Sequence, residues 1–130
     1  MSTDVRRLSY LTEQTIGCSF EVANTLGRGL LEKVYANALA FELIQKGIDV
    51  EREYPLKVYY KEQIVGNFVA DLWIEDCLLV ETKATSSINN LHLAQSLNYL
   101  KASNLTLALL INFGSASVQI KRIVNGFNRR

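Results

Sequence analysis

The chain has 130 residues, of which 48% are hydrophobic and 21% are charged, and its formal net charge is +1. This length suits a single domain over residues 1–130, and the lack of low-complexity runs excludes a linker or a disordered protein. No run approaches the roughly 20 apolar residues that span a bilayer, and no apolar signal core follows Met1, so we expect a cytoplasmic protein without membrane contacts.

Charge and cysteines add little about function. The net charge gives no global basic field, although basic residues are concentrated at both termini: Arg6, Arg7, Lys121, Arg122, Arg129 and Arg130. A polyanionic substrate is neither established nor excluded. Cys18 and Cys77 lie far apart in apolar segments, which predicts two reduced, structural thiols.

The first two predicted elements are helices. Apolar residues at Ile16, Phe20 and Ala23 predict a helix over 8–26, and Gly27 follows it as a stop. Strong helix formers predict a second helix over 30–46 that ends at Gly47, with a tight joint between the two helices.

The remaining elements predict a mixed sheet. Strands are expected over 49–60, 64–74 and 78–84, as an antiparallel meander in which Pro55 marks an edge or a bulge. A helix over 87–103, a covered strand over 105–113 and an alternating strand over 118–124 follow, and strand-helix-strand implies a parallel crossover. The predicted class is α/β, in the order α-α-β-β-β-α-β-β, with helices on the faces of the sheet.

Three charged residues interrupt two otherwise apolar strands. Glu81 and Lys83 point the same way along one strand, and a three-residue loop over 75–77 would place Asp71 directly across from Glu81. Two carboxylates on Cβ atoms about 5 Å apart repel unless a proton or a cation lies between them, which favours a Mg²⁺ site. Taken alone, a Glu-x-Lys triplet is more often a solvated ion pair of little energetic value.

Glu32 heads a predicted helix face whose later members are Ala36, Leu39 and Leu43, a face expected to pack on the sheet. A carboxylate there needs a partner. The alternative is a helix-start carboxylate that is stabilised by the helix dipole, by about 0.3–1 kcal/mol.

The segment Gly29-Leu-Leu-Glu32-Lys-Val-Tyr35 resembles the signature of the GxxExxY protein family, a branch of the PD-(D/E)XK nuclease superfamily. The resemblance continues through Asp71, Glu81-Thr-Lys83, Gln95-Ser-Leu-Asn-Tyr99 and Leu110-Ile-Asn-Phe-Gly114, and so covers residues 11–124. Ala70 stands where the superfamily name has proline, a departure that removes no ligand.

The resemblance implies a restriction-endonuclease-like core with Glu32, Asp71, Glu81 and Lys83 as catalytic residues. Asp71 and Glu81 would bind Mg²⁺, for which Mn²⁺ can substitute, with the Thr82 main-chain carbonyl as a third oxygen and Glu32 at a second cation or its water shell. Lys83 would orient or help deprotonate the water that attacks a phosphodiester.

Four further residues are candidates for substrate contact or support. Gln95 and Tyr99 lie one helical turn apart and could contact Lys83 or phosphate, with ordinary helix-to-sheet bonding as an equal alternative. Tyr35 belongs to the signature, and His92 is the only histidine, which disfavours zinc and suggests a surface or substrate-contacting position. Trp73 could stack on a base but is more often core.

We therefore expect a Mg²⁺-dependent nuclease that acts on nucleic acid, on DNA more than RNA. The alternative is a non-catalytic module that binds nucleic acid or protein on the same fold. A small domain offers limited surface for gripping a duplex, which suggests, by analogy, a homodimer or a larger complex.

Overall fold

The computed structural model describes residues 5–126, so Arg129 and Arg130 lie outside the described residues. Three helices and five strands follow the predicted order: α1 (Val5–Leu26), α2 (Glu32–Gln45), β1 (Val50–Tyr60), β2 (Gln63–Ile74), β3 (Leu78–Lys83), α3 (Asn90–Ser103), β4 (Leu107–Asn112) and β5 (Gln119–Val124). The element order and the fold class are confirmed. No helix within these residues is long and apolar enough to cross a membrane.

The strands form one sheet in the spatial order β1-β2-β3-β4-β5. Every neighbouring pair is antiparallel except β3 and β4, which are parallel and are joined through α3, as the predicted crossover requires. Strand β1 is an edge, and it carries Pro55, whose missing N–H an edge strand tolerates.

Two apolar clusters cover the two faces of the sheet. The larger cluster joins α1 and α2 to side chains such as Leu72, Val80 and Ile111. The smaller cluster lies on the opposite face and joins Leu100 of α3 to side chains such as Leu79. Alternate residues of β3 therefore enter different clusters, which is why this strand is almost continuously apolar. Cys18 and Cys77 are free and buried, as predicted, and burial raises the pKa of both thiols.

The predicted face of α1 is correct in part, because Ile16 and Ala23 pack against the larger cluster. Phe20 is exposed, while Thr15 and Ser19 are fully buried beside Leu11 and Cys18. The hydroxyls of Thr15 and Ser19 donate to the carbonyl oxygens four residues earlier, so these polar side chains are satisfied within the helix and can face the core.

Two helix starts also differ from the prediction. Helix α2 begins at Glu32 rather than at residue 30, because Leu30 belongs to the joint with α1. Helix α3 begins at Asn90 rather than at residue 87. Its start is set by Asn89, whose side chain accepts the His92 N–H at 2.9 Å, while His92 Nδ1 accepts the Asn89 N–H at 3.2 Å.

Candidate active site

Asp71 and Glu81 lie where the pairing of β2 with β3 stops. The ladder runs from Ile74–Leu78 to Leu72–Val80 around a three-residue loop, and the same register continued by one step would oppose Asp71 and Glu81. At that step the Asp71 N–H donates to a side chain instead of a backbone carbonyl, because its acceptor is Glu81 Oε2 at 3.2 Å. The charge of Asp71 also raises the pKa of Glu81, so the two carboxylates predicted to be neighbours lie close together.

The backbone of β2 turns over at Asp71. Ala70 packs in the cluster on the α3 side, whereas Leu72 packs in the cluster on the α1–α2 side, although strict alternation would keep both on one face. The register with β1 lacks a pair at this position, where Glu53 has a φ of +56°.

This turnover directs the Asp71 carboxylate toward β3. Asp71 Oδ2 accepts two hydrogen bonds from Thr82, from the backbone N–H at 2.7 Å and from the side-chain hydroxyl at 2.9 Å. The Thr82 hydroxyl was not anticipated from the sequence. The only available signal was a threonine as the middle residue of the Glu-x-Lys triplet, and β propensity explains a threonine in a strand equally well.

The Thr82 carbonyl faces the same side as its N–H. In a strand, the N–H and C=O of one residue point toward the same neighbour, and alternate residues point to opposite neighbours. Lys83 O accepts the N–H of Phe113 at 2.8 Å, so Lys83 points its backbone toward β4 and Thr82 points its own toward β2. An oxygen atom of the main chain therefore lies on the Asp71 side of β3.

Glu81 is an acid in an unfavourable place for a negative charge. Its side chain points from β3 on the same side as Leu79, and the residue is only 8% exposed. Burial, the first cause, and then the charge of Asp71 raise the pKa of Glu81 to about 8, and Glu32 adds to the rise. The Asp71 N–H and the charge of Lys83 act in the opposite direction. The site lacks positive charge relative to its carboxylates.

Lys83 is half-buried beside this pair and is not tied to either carboxylate. Within residues 5–126 the ion pairs shorter than 4.0 Å are Arg7–Glu75 and Lys33–Glu53, so Lys83 belongs to neither. Its charge nevertheless lowers the pKa of Glu81. The arrangement is therefore not the closed surface ion pair that a Glu-x-Lys triplet most often forms.

Glu32 approaches the same point from α2. It is exposed in the first turn of that helix, where the helix dipole stabilises it, and it lines a cavity of about 120 Å³ together with Asp71, Arg52 and Glu53. Both interpretations of Glu32 thus fit its position. It is not packed on the sheet, although Ala36, which follows it on the same helix face, is buried.

Tyr99 borders the carboxylates from the α3 side, whereas Gln95 is exposed and makes no hydrogen bond with the described residues. The ring of Tyr99 stacks on Phe68 with 4.2 Å between centroids. Burial, then the charges of Glu81 and Asp71, raise the pKa of Tyr99.

Tyr35 and His92 have structural contacts. Tyr35 is fully buried, stacks on Phe113, donates its hydroxyl to Gly27 O at 2.6 Å and accepts the Leu30 N–H at 3.2 Å. It supports the joint from which Glu32 emerges. His92 closes the cap of α3, where its Nδ1 accepts the Asn89 N–H.

Trp73 is core, as the commoner interpretation holds. It is 7% exposed, stacks on Tyr54 with 4.0 Å between centroids, and donates its indole N–H to Asp76 Oδ1 at 2.6 Å.

One support for the site was missed as a functional position. Asn112 is fully buried at the end of β4, where its Oδ1 accepts the N–H groups of Thr85 and Gly114, and its Nδ2 donates to Thr85 O and to Gln119. These bonds hold the backbone at Thr85, two residues after Lys83, against the end of β4. The signal was an asparagine in an apolar strand, which needs partners when buried.

Two carboxylates, rather than three, meet at the centre. No group of three or more His, Cys, Asp or Glu residues within the described part of the chain is placed to hold a metal ion. The oxygens that fit a hard cation are those of Asp71 and Glu81, which use Oδ2 and Oε2 for the hydrogen bonds above, and the carbonyl of Thr82.

The chain matches the family model of the PD-(D/E)XK nuclease superfamily over residues 9–123. The chain belongs to the PD-(D/E)XK nuclease superfamily. This match establishes the superfamily that the motifs indicated, whereas the GxxExxY branch stays a prediction. No curated protein matches the chain.

Solved structures share the restriction-endonuclease-like fold of this nuclease-superfamily chain. The crystal structure of SSO0001 aligns with a TM-score of 0.57 and 19% identity, over 92% of this chain and 60% of that chain. An alkaline exonuclease from Laribacter hongkongensis aligns with a TM-score of 0.52 and 12% identity, over 95% of this chain and 72% of that chain. This chain thus spans less than two thirds of SSO0001, and at such identities the likeness concerns the fold.

Proposed function

We propose that this protein is a divalent-metal-dependent nuclease that hydrolyses phosphodiester bonds in DNA in preference to RNA. The observation that carries the proposal is the meeting of Asp71 and Glu81 at the open end of the β2–β3 ladder, in a chain of a nuclease superfamily. The raised pKa of Glu81 supports it, because the buried pair lacks the positive charge that a cation would provide.

In this proposal the chain's own residues hold and orient the reactants. Asp71, Glu81 and the Thr82 carbonyl would hold Mg²⁺ or Mn²⁺, and Glu32 would contact a second cation or its water shell. The chemistry that the bound ion supplies is acidification of water and neutralisation of phosphate charge. The Lys83 ammonium orients the attacking water and offsets the charge that develops on the phosphate. The hydrogen bonds from Thr82 keep the Asp71 carboxylate turned toward β3.

Cleavage of single-stranded and duplex DNA and of RNA tests the proposal, with Mg²⁺ or Mn²⁺ present or chelated. Asp71→Asn keeps the shape of the side chain and one acceptor oxygen for Thr82, and we expect it to abolish cleavage. Asp49→Asn is the matched control, because Asp49 is exposed immediately before β1 and its carboxylate bonds no described residue. Activity that survives both chelation and Asp71→Asn would refute the assignment.

A second candidate function is a non-catalytic module that binds nucleic acid or a protein partner. The observation that favours it is the lack, among the described residues, of three side chains placed to hold a metal ion. Calorimetric titration with Mg²⁺ and Mn²⁺ separates the two candidates. Absence of binding at millimolar metal would favour the module, whereas binding that Asp71→Asn removes would favour the nuclease.

A further inference from the structure

One cavity of the molecule lies away from the carboxylates. It has a volume of about 500 Å³ and lies between the β1–β2 hairpin and the C-terminal half of α3. We call it the hairpin groove, and its lining includes Lys57, Tyr59, Phe68, Asn98, Lys101 and Asn104.

The chemistry of the hairpin groove is that of a site for an anion with a flat ring. Two lysines line it and no carboxylate does, although the whole chain has a net charge of only +1. Two asparagines supply amide donors and acceptors, and Tyr59, which is 61% exposed, supplies an aromatic face. Phosphate and nucleobase are the groups that this combination recognises.

Tyr59 lies at an irregularity in the pairing of β1 with β2. The register of β1 with β2 shifts between Val58 and Tyr59, so that Val65 has no partner on β1. Such a bulge re-aims the side chains of a ribbon, and bulges are often found beside binding sites.

The groove leads to the candidate active site through one aromatic contact. Phe68 lines the groove and stacks on Tyr99, whose pKa is affected by the charges of Glu81 and Asp71. Phe68 precedes Asp71 by three residues on β2, a separation of about 10 Å along a strand. A strand of nucleic acid that reaches Asp71 would therefore extend into the groove after a few nucleotides.

We propose that the hairpin groove binds one or two unpaired nucleotides of the substrate strand, with a base on Tyr59 and a phosphate at Lys57. This inference rests on the proposed function for its link to the active site. A base can stack on a side chain only when it is not paired within a duplex, and a 500 Å³ cavity is of the size that holds a small molecule rather than a double helix. The substrate that the groove selects is single-stranded or frayed.

Fluorescence anisotropy with a labelled oligothymidine and with its duplex tests the proposal, in EDTA so that no cleavage occurs. Tyr59→Ala is compared with Tyr60→Ala, because both tyrosines are 61% exposed on the same hairpin and only Tyr59 lines the groove. We expect Tyr59→Ala to weaken single-strand binding by about 5- to 100-fold, and Tyr60→Ala to leave it unchanged. Thermal unfolding confirms that both variants are folded.

A salt series provides an independent readout for the phosphate contact. Lys57→Gln should reduce the slope of log affinity against log salt by about 0.7, whereas Lys61→Gln, in the exposed hairpin turn outside the groove, should not. The result supports the inference only if the wild-type protein binds the single strand more tightly than the duplex.

Four results would overturn the inference: no oligonucleotide binding by the wild type, duplex binding at least as tight as single-strand binding, a loss in Tyr59→Ala no larger than in Tyr60→Ala, or a change of oligomeric state in Tyr59→Ala without loss of binding. The last would make the groove a contact with a second copy of this chain. Failure of the nuclease proposal is distinguishable, because it appears as intact, Tyr59-dependent binding without cleavage when Mg²⁺ is restored.

Discussion

Replacement of Glu81 by glutamine should stabilise the metal-free protein at neutral and alkaline pH. Glutamine has the same shape, and its amide oxygen can still accept the Asp71 N–H that Glu81 Oε2 accepts. It removes the ionisable group whose charge burial and Asp71 disfavour. The expected effect is a gain in the free energy of unfolding together with loss of metal binding.

The sign follows from the direction of the pKa change. The pKa of Glu81 is about 8 in the folded chain and 4.5 ordinarily, so between these values the folded state binds the proton more tightly than the unfolded state. This contribution to stability is fully present below pH 4.5 and declines as the pH rises toward 8. Since one pKa unit corresponds to about 1.4 kcal/mol, the decline has an upper limit of about 5 kcal/mol. Water that reaches the carboxylate makes the decline smaller, and we expect the free energy of unfolding to fall by about 2–4 kcal/mol.

Urea unfolding at pH 5, 6, 7 and 8 in EDTA measures this decline. The difference between wild type and Glu81→Gln isolates Glu81 from groups that titrate in the opposite direction, such as Glu75, whose pKa the Arg7 hydrogen bond lowers. Glu62→Gln, in the exposed turn between β1 and β2, is the control for the chemical change itself. A difference between Glu81→Gln and wild type that stays constant from pH 5 to pH 8 would refute the reasoning.

Three further predictions concern the metal and the framework. Below pH 8, Mg²⁺ affinity should rise with pH and binding should release a proton from Glu81, as calorimetry in buffers of different ionisation enthalpy reports, and buffer-independent heats would contradict it. Tyr35→Phe keeps the ring stack but leaves the joint groups of Gly27 and Leu30 unbonded, so denaturant unfolding should show a loss of about 1–3 kcal/mol. Gly114→Ala would place a Cβ 2.4 Å from the backbone of Thr85 and should lower the free energy of unfolding by at least about 2 kcal/mol in the same assay. Gly17→Ala, with open space around it in α1, should raise the free energy of unfolding by about 0.5–1 kcal/mol. Equal effects of the two substitutions would refute the steric argument.

The order of elements could be predicted because hydrophobic period, turns and glycines agree in this chain. The three-residue loop over 75–77 sufficed to bring Asp71 and Glu81 together, since a hairpin loop determines its register. Pro55 likewise indicated an edge strand correctly.

What could not be predicted depends on departures from regular geometry. The turnover at Asp71 breaks the period of two on which facing arguments rest, and nothing in the side chains of Ala70 or Leu72 announces it. The burial of Thr15 and Ser19 on α1 was also missed, because these side chains satisfy their own hydroxyls within the helix. A period counted over apolar residues alone omits such positions.

The Asp71 turnover also makes the two layers of the molecule separable. Asp71 shares a cavity with Glu32 of α2, and it bonds Glu81, which points to the α3 side of the sheet. The sequence of the helix layer on one face can therefore change without moving the side chain that the other face contributes. In the proposed nuclease, changes in α3 and the hairpin would alter which strand is admitted, while changes at the start of α2 would alter the charges around Asp71. Both adjustments converge on a carboxylate whose position the backbone, rather than either helix, determines.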